Sequence, residues 1–367
     1  MKKICVVSIA RSDYGHLKWV IHDINKEPDL ELQFVVTGGH LSEEQGNTVK
    51  DIYDDGIPIT SIIDVKADNT SKLTIVRTMN SISLKFTDVF NELKPDILVV
   101  LGDRYELLSI CPTAFVMDIP IAHISGGDIT EGAIDDGIRN AVTMLASYHF
   151  PGTSDSAKNI ARMRNSNNNI FSVGELSLDS FNRTELMPRS GLAENLGLNR
   201  GKKWVLLTYH PETKETLSYN MDAVKNIVSV LQNIHDIEII MTGANLDYGG
   251  KEINSFLVNT VKDSNQFKFF SSLGQLRYLS LMKQVSFVIG NSSSGIVETP
   301  FLSIPAINVG NRQKGRYLCE NIIQSGTSFE DIQKAVSNIN HGANPCDRYY
   351  WGDGKSSEKI VNILKNV

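Results

Sequence analysis

The stretch Phe287-Val288-Ile289-Gly290-Asn291-Ser292-Ser293-Ser294-Gly295-Ile296-Val297-Glu298 decides the fold. An apolar run stops at a glycine, three hydroxyls follow, and Ile296 and Val297 open an apolar helix. A strand that turns straight into a helix is half of a βαβ unit, and such units build parallel sheets covered by helices on both faces. The strands of these sheets read as continuous Val-, Ile- and Leu-rich runs, because neither face meets water.

Working outward, the same rhythm fills the chain. Apolar runs at 4–9, 32–36, 59–63, 97–101, 119–124 and 148–150 alternate with helical spacing at 15–25, 72–93, 106–117 and 135–146. Residues 163–170 show neither period. A second series follows at 204–209, 237–241, 267–270, 287–290 and 306–309, with helices expected at 221–233, 252–261 and 275–283 and a last one at 357–365. Residues 183–203, rich in Gly, Asn and charge, read as the connector. The fold class is therefore α/β, as two Rossmann-like parallel-sheet domains at 1–180 and 181–349.

Composition is consistent with this. The chain has 367 residues, 41% of them apolar and 21% charged, which suits two domains of ordinary size. A net charge of −6 argues against a nucleic-acid binder, so none is expected as a partner. It also means that any bound anion must be held by local arginines and backbone amides. Cys5, Cys111, Cys319 and Cys346 lack metal-site or disulfide-framework spacing and read as thiols in a reducing compartment. Lys2 and Lys3 before a short apolar run imitate a signal peptide, but Arg11 and Asp13 interrupt it. No run approaches the ~20 apolar residues that span a bilayer. No membrane association is expected, and the expected location is the cytoplasm.

Ligands of doubly wound sheets bind beyond the carboxyl ends of the strands, so polar residues there are the candidates. In Gly290–Gly295 one serine would suffice as an N-cap. Three bracketed by glycines instead suggest an anion at a helix N-terminus, held by Asn291, Ser292, Ser293, Ser294 and Gly295. Glu298, one turn on, can accept both hydroxyls of a ribose or merely offset the helix dipole. Arg11-Ser12-Asp13-Tyr14 and Leu101-Gly102-Asp103-Arg104-Tyr105-Glu106 put Arg11, Asp103 and Arg104 at strand ends. Charges there are costly unless paired or working.

The loop after 119–124 carries Asp128, Glu131, Asp135 and Asp136 on a glycine-containing segment. Such a patch suits general acids and bases better than calcium, because the alternating spacing of a calcium loop is missing. No metal is expected. His210, in His210-Pro211-Glu212-Thr213, can donate to a ligand oxygen. Arg312, Lys314 and Arg316 can neutralise a diphosphate or form a solvated loop. Gly352-Asp353-Gly354-Lys355-Ser356 imitates a P-loop without its earlier glycine or a preceding strand, and no G-x-G-x-x-G appears, so no cofactor is expected.

In their order along nearly the whole chain, these motifs resemble the UDP-N-acetylglucosamine 2-epimerase family, and specifically the hydrolysing branch that feeds sialic and legionaminic acid synthesis. The resemblance implies a GT-B architecture with the active site in the interdomain cleft and a C-terminal helix, 350–367, that packs back on the first domain. It implies a nucleotide-diphosphate sugar substrate and a homo-oligomer, dimer or tetramer. It assigns Ser292, Ser293, Arg11 and Arg104 to the diphosphate, Glu298 to the ribose and Arg312 to the nucleotide, with Asp103, Asp135 and His210 in catalysis.

The chain departs from the family pattern at Ser125, where members closest to the animal enzyme carry Glu. The loop there is one residue longer, which makes Asp128 or Glu131 the candidate substitute, and Asn140 follows Arg139 where His is common. The implied reaction is anti elimination of UDP to a 2-acetamidoglycal, followed by hydration to N-acetylmannosamine. The alternative substrate is UDP- or GDP-N,N'-diacetylbacillosamine. Weaker alternatives are a GT-B glycosyltransferase and a non-catalytic nucleotide-sugar sensor.

Overall fold

The computed structural model describes residues 1–42, 47–65, 71–129, 134–245, 247–339 and 345–367. They divide into two compact units, Met1–Ser180 with Gly352–Val367, and Phe181–Trp351. In the first unit the strands are β1 (Lys2–Ser8), β2 (Leu30–Thr37), β3 (Ser61–Ile63), β4 (Ile97–Leu101), β5 (Ile121–Ile124) and β6 (Tyr148–Phe150), in the order β3-β2-β1-β4-β5-β6. In the second they are β7 (Lys203–Thr208), β8 (Ile237–Thr242), β9 (Phe267–Phe270), β10 (Phe287–Gly290), β11 (Ala306–Val309) and β12 (Ile322–Ser325), in the order β12-β11-β10-β7-β8-β9. Counted within its own unit, the second sheet repeats the order of the first. The ladders among the described residues are parallel. The chain thus holds the two Rossmann-like units of a GT-B architecture.

Successive side chains of a strand point to opposite faces, and both faces here are buried. Ile4 and Val6 of β1 enter one core, Cys5 and Val7 another. The first core takes Leu17, Val20, Ile21 and Ile24 from helix Arg11–Lys26, and Ile360, Val361 and Leu364 from helix Ser356–Asn366. The second takes Ile82, Phe86 and Phe90 from helix Lys72–Leu93, and Ile110, Cys111 and Ala114 from helix Leu107–Val116. In the other unit Val205, Leu207, Ile239, Met241, Ile289 and Ile307 form a core with helix Leu217–Gln232. The four cysteines are free thiols. Among the described residues no helix is long and apolar enough to cross a membrane.

The strand order reverses between β1 and β4, and again between β7 and β10. At such a switch point the loops leave in opposite directions and open a crevice beyond the carboxyl ends.

Several elements appear where the sequence suggested none, among them β12 and the helices Val49–Asp54, Ser154–Arg164, Asp179–Arg183, Arg189–Leu196 and Phe329–Ser337. Helix Ser154–Arg164 buries only Ser156 and Ile160, too few to show a period. Its start is fixed instead by Thr153, whose hydroxyl accepts from the Ser156 amide at 3.1 Å. Helix Arg189–Leu196 lies inside the segment read as connector. The short strand β12 sits at the sheet's edge, where one neighbour suffices to pair it.

Helix Ser356–Asn366 is tied to the first unit by the buried Asp179. The Asp179 carboxylate accepts from the Ser356 amide at 2.8 Å and the Ser357 amide at 2.6 Å, satisfying two first-turn donors and facing the positive helix end. Asp179→Ala is expected to cost about 1–2 kcal/mol in urea unfolding and to speed amide exchange first in residues 356–366. Unchanged exchange there would remove Asp179 as the anchor.

Candidate active site

In the first unit, a cavity of about 230 Å3 opens at the β1/β4 switch point, lined by Ser12, Asp13, His16, Leu101, Gly102, Asp103, Arg104, Ser125, Glu175 and Leu176. Its floor is held by polar groups the sequence did not single out. His123, at the end of β5 and fully buried, donates from Nε2 to the Gly102 carbonyl at 2.8 Å. Its Nδ1 accepts from the Thr143 hydroxyl at 3.1 Å. Burial pushes the His123 pKa down to about 4, so the ring is a neutral brace for the turn that presents Asp103.

Asp103 is ion-paired with Arg139, a buried residue that also donates to the Asp128 carbonyl at 2.8 Å and lies 3.7 Å from Asp136 Oδ1. Asp135 begins helix Ile134–Leu145 and is exposed. Desolvation and the neighbouring Asp103 carboxylate raise its pKa, against the pull of Arg139 and Arg104. The structure therefore brings Asp103 and Asp135 into one electrostatic group around Arg139. A carboxyl pushed upward beside a paired carboxylate is a suitable proton-transfer pair.

The Asp128 carboxylate is turned elsewhere. It accepts from Ser156 Oγ at 2.6 Å, in the first turn of helix Ser154–Arg164. Glu131 and the rest of 130–133 lie outside the described residues. Arg11 is exposed and 3.4 Å from Asp51, a surface pair of little energetic weight. Arg104 lies between two carboxylates, with Nη2 donating to Glu106 Oε1 at 3.3 Å and Nε 4.0 Å from Asp13 Oδ2. Its charge is thus already engaged within the unit. Burial raises the Asp13 pKa and Arg104 opposes the rise. His40, fully buried, bridges Ser8 Oγ and Thr48 Oγ1 at 2.8 Å each behind the β1 turn.

The second unit builds a different kind of site at its own switch point. Gly290 ends β10 with φ +136°, and a Cβ there would fall 1.9 Å from the Thr208 carbonyl, so no other residue fits. That close approach seats the next residue, Asn291, with no exposed surface. Its amide pairs with the backbone of His210 on β7's end, accepting from the His210 N–H at 2.7 Å and donating to its carbonyl at 2.8 Å. The Asn291 carbonyl accepts from Arg312 Nη1 at 3.2 Å and Gln313 Nε2 at 2.9 Å. Asn291, expected among the nucleotide ligands, therefore spends its side chain on fixing the loops around it.

Past this clasp, Ser293 occupies the N-cap position of helix Ser294–Leu302 with φ −58° and no side-chain capping bond, and it is exposed. The missing capping bond distinguishes the loop from an ordinary cap. Tyr278 meets Ser292, Ser294 and Thr208 from below, near Glu298, and burial pushes its pKa up to about 12. Gly295 lies in the helix's first turn. His210 Nδ1 accepts from the Asn245 amide at 3.1 Å, which places the ring proton on Nε2. Burial first, and Arg312 second, lower the His210 pKa to about 4. The ring is therefore a neutral Nε2–H donor.

Glu212, nearly buried, accepts from the Asn311 amide at 3.0 Å and packs over Gly310, so it positions the loop that carries Arg312. Glu212 stands in the motif quoted with His210, but its role depends on a loop a hundred residues away that the sequence alone does not bring near.

Residues 22–365 match the family model described as UDP-N-acetylglucosamine 2-epimerase. A GDP/UDP-N,N'-diacetylbacillosamine 2-epimerase (hydrolyzing) of Campylobacter jejuni is 37% identical, over 92% of this chain and 87% of that protein. A UDP-N,N'-diacetylbacillosamine 2-epimerase (hydrolyzing) of Legionella pneumophila is 30% identical over 100% of this chain and 96% of its own length. The solved structure of a UDP-GlcNAc 2-epimerase from Methanocaldococcus jannaschii superposes with a TM-score of 0.79 at 21% identity, covering all of both chains.

Four histidines, His40, His123 and His149 fully buried and His210 half-buried, give the protein a characteristic pH response. His40, His123 and His210 are lowered to about 4 and His149 to about 3, in each case mainly by burial, from 6.5 in the unfolded chain. Between these values the unfolded chain binds more protons than the folded one, so stability falls as pH drops from about 6.5 toward 4. The melting temperature is expected to decline steadily from pH 7 to pH 5. A flat or rising profile would contradict neutral buried rings.

Proposed function

The chain belongs to the UDP-N-acetylglucosamine 2-epimerase family, and we propose that it is a hydrolysing 2-epimerase of a nucleoside-diphosphate 2,4-diacetamido-2,4,6-trideoxy sugar, N,N'-diacetylbacillosamine. The observation that carries this choice is the 37% identity over 92% of the chain to a relative named for that sugar. The relatives thereby favour the substrate taken as the alternative in the sequence over UDP-N-acetylglucosamine. The uncharged Ser125 and the apolar Leu176 in the first unit's cavity support the same reading, because a 6-deoxy sugar presents a methyl group where glucose presents a hydroxyl.

The reaction divides between the two sets of residues. Ser292 and Ser293, with the amides at the start of helix Ser294–Leu302, hold the diphosphate. His210 donates from Nε2 to a phosphate or sugar oxygen, Glu298 takes the ribose, and Arg312 lies beside the nucleotide. The C1–O bond breaks with its electron pair leaving on the diphosphate, and positive charge grows at C1. That charge acidifies the C2–H, and Asp103 or Asp135 accepts the proton to give the glycal. Water then adds at C1 and a proton returns to the opposite face of C2.

The test is a panel of UDP- and GDP-linked N-acetylglucosamine and N,N'-diacetylbacillosamine, with the released sugars identified by mass spectrometry. The diacetamido sugar is expected to be turned over with a kcat/KM at least about tenfold higher. Preference for N-acetylglucosamine by the same margin would reverse the assignment.

A further inference from the structure

Three carboxylates can reach the first unit's cavity from its lining, those of Asp13, Asp103 and Glu175. Asp13 is engaged in the β1 turn, accepting from the amides of Ile9 and Ala10 at 3.3 and 3.2 Å, and Asp103 is paired with Arg139. Glu175 belongs to none of the motifs at the strand ends. It arrives on the segment that follows helix Ser154–Arg164, and it lies over Gly152, just past β6. A Cβ on Gly152 would fall 1.8 Å from Glu175 Oε1 and 2.6 Å from its Cδ, so the side chain occupies its place only because residue 152 has none.

The backbone of Glu175 is pinned as closely. Gly352, at φ +131°, passes so near that a Cβ would sit 2.9 Å from Gly174 Cα and 3.2 Å from Glu175 N. Ser356 Oγ, at the start of the C-terminal helix, donates to the carbonyls of Val173 at 3.1 Å and Glu175 at 3.3 Å. The anchoring by Asp179 thus has a second effect: the chain's last segment fixes a carboxylate in the cavity. Sheet order separates the two acidic groups. Asp103 enters from the turn after β4 and Glu175 from beyond β6, with β5, which Ser125 follows, lying between those strands in the sheet.

We propose that Glu175 is a further catalytic residue, which delivers the solvent-derived proton to C2 when the glycal is hydrated. This rests on the hydrolysing-epimerase reading above. Elimination uses one carboxylate, which takes the C2 proton as the diphosphate departs with the C1–O electron pair. Hydration then needs a second donor on another side of the ring. Protonated Glu175 gives its proton to C2 as the C1=C2 π pair closes onto it. The oxygen of water bonds to C1, and the surplus water proton returns to the Glu175 carboxylate. The proton taken in the first half leaves with the nucleoside diphosphate, and the enzyme is restored.

Glu175→Gln keeps the shape and removes the proton. With the best nucleotide sugar of the panel, it is expected to go on releasing nucleoside diphosphate while the 2-acetamidoglycal accumulates and free epimerised sugar falls roughly 100-fold or more. Gly152→Ala, which displaces the carboxylate without altering it, is expected to shift the same glycal-to-sugar ratio. Added formate is expected to restore sugar formation to Glu175→Ala. Wild-type glycal-to-sugar ratios in Glu175→Gln would overturn the proposal, as would equal loss of diphosphate release and sugar. Wild-type protein that turns over no sugar of the panel would overturn the functional reading itself.

Discussion

The side chain of Asn291 makes two hydrogen bonds that the second unit's site depends on. An amide can accept and donate at once, and Asn291 uses both capacities on the N–H and carbonyl of His210, so the ends of β7 and β10 are locked at the point where strand order reverses. Buried amides that are fully paired specify one arrangement, because any other leaves polar atoms stranded. Through the Asn291 carbonyl the same residue also seats Arg312 and Gln313. The first unit uses a related device, with His123 of β5 holding the Gly102 carbonyl of the neighbouring turn.

Charge is distributed unevenly over the two sites. In the first unit Arg104 is countered by Asp13 and Glu106, and Arg139 by Asp103 and Asp136. What remains there for chemistry is a set of carboxyl groups whose protonation depends on close neighbours. The second unit offers neutral donors, the serine hydroxyls, first-turn amides and the Nε2–H of His210, beside the exposed Arg312. In a chain of net charge −6, such donors bind an anion without a large desolvation penalty of their own.

The sheets were legible in the sequence because strands covered on both faces consist almost wholly of apolar residues. The candidate residues at strand ends stood out for a related reason, since a charge or glycine right after such a run has few structural uses. What escaped notice depends on distance. Helix Ser154–Arg164 lacks a period because it buries only two side chains. Glu212, His123 and Glu175 each act on backbone or space contributed by remote segments, and Glu175 has its place because of a missing Cβ at Gly152. Asn291 was visible as part of the serine loop, but the clasp made by its side chain needed the position of His210.

The proposed reaction requires the diphosphate to leave with a proton exchanged at C2. Turnover of the preferred nucleotide sugar in deuterated water, followed by NMR of the free sugar, measures this directly. Full deuterium at C2 of the epimerised product is predicted. Release of nucleoside diphosphate with the C2 proton retained would contradict it.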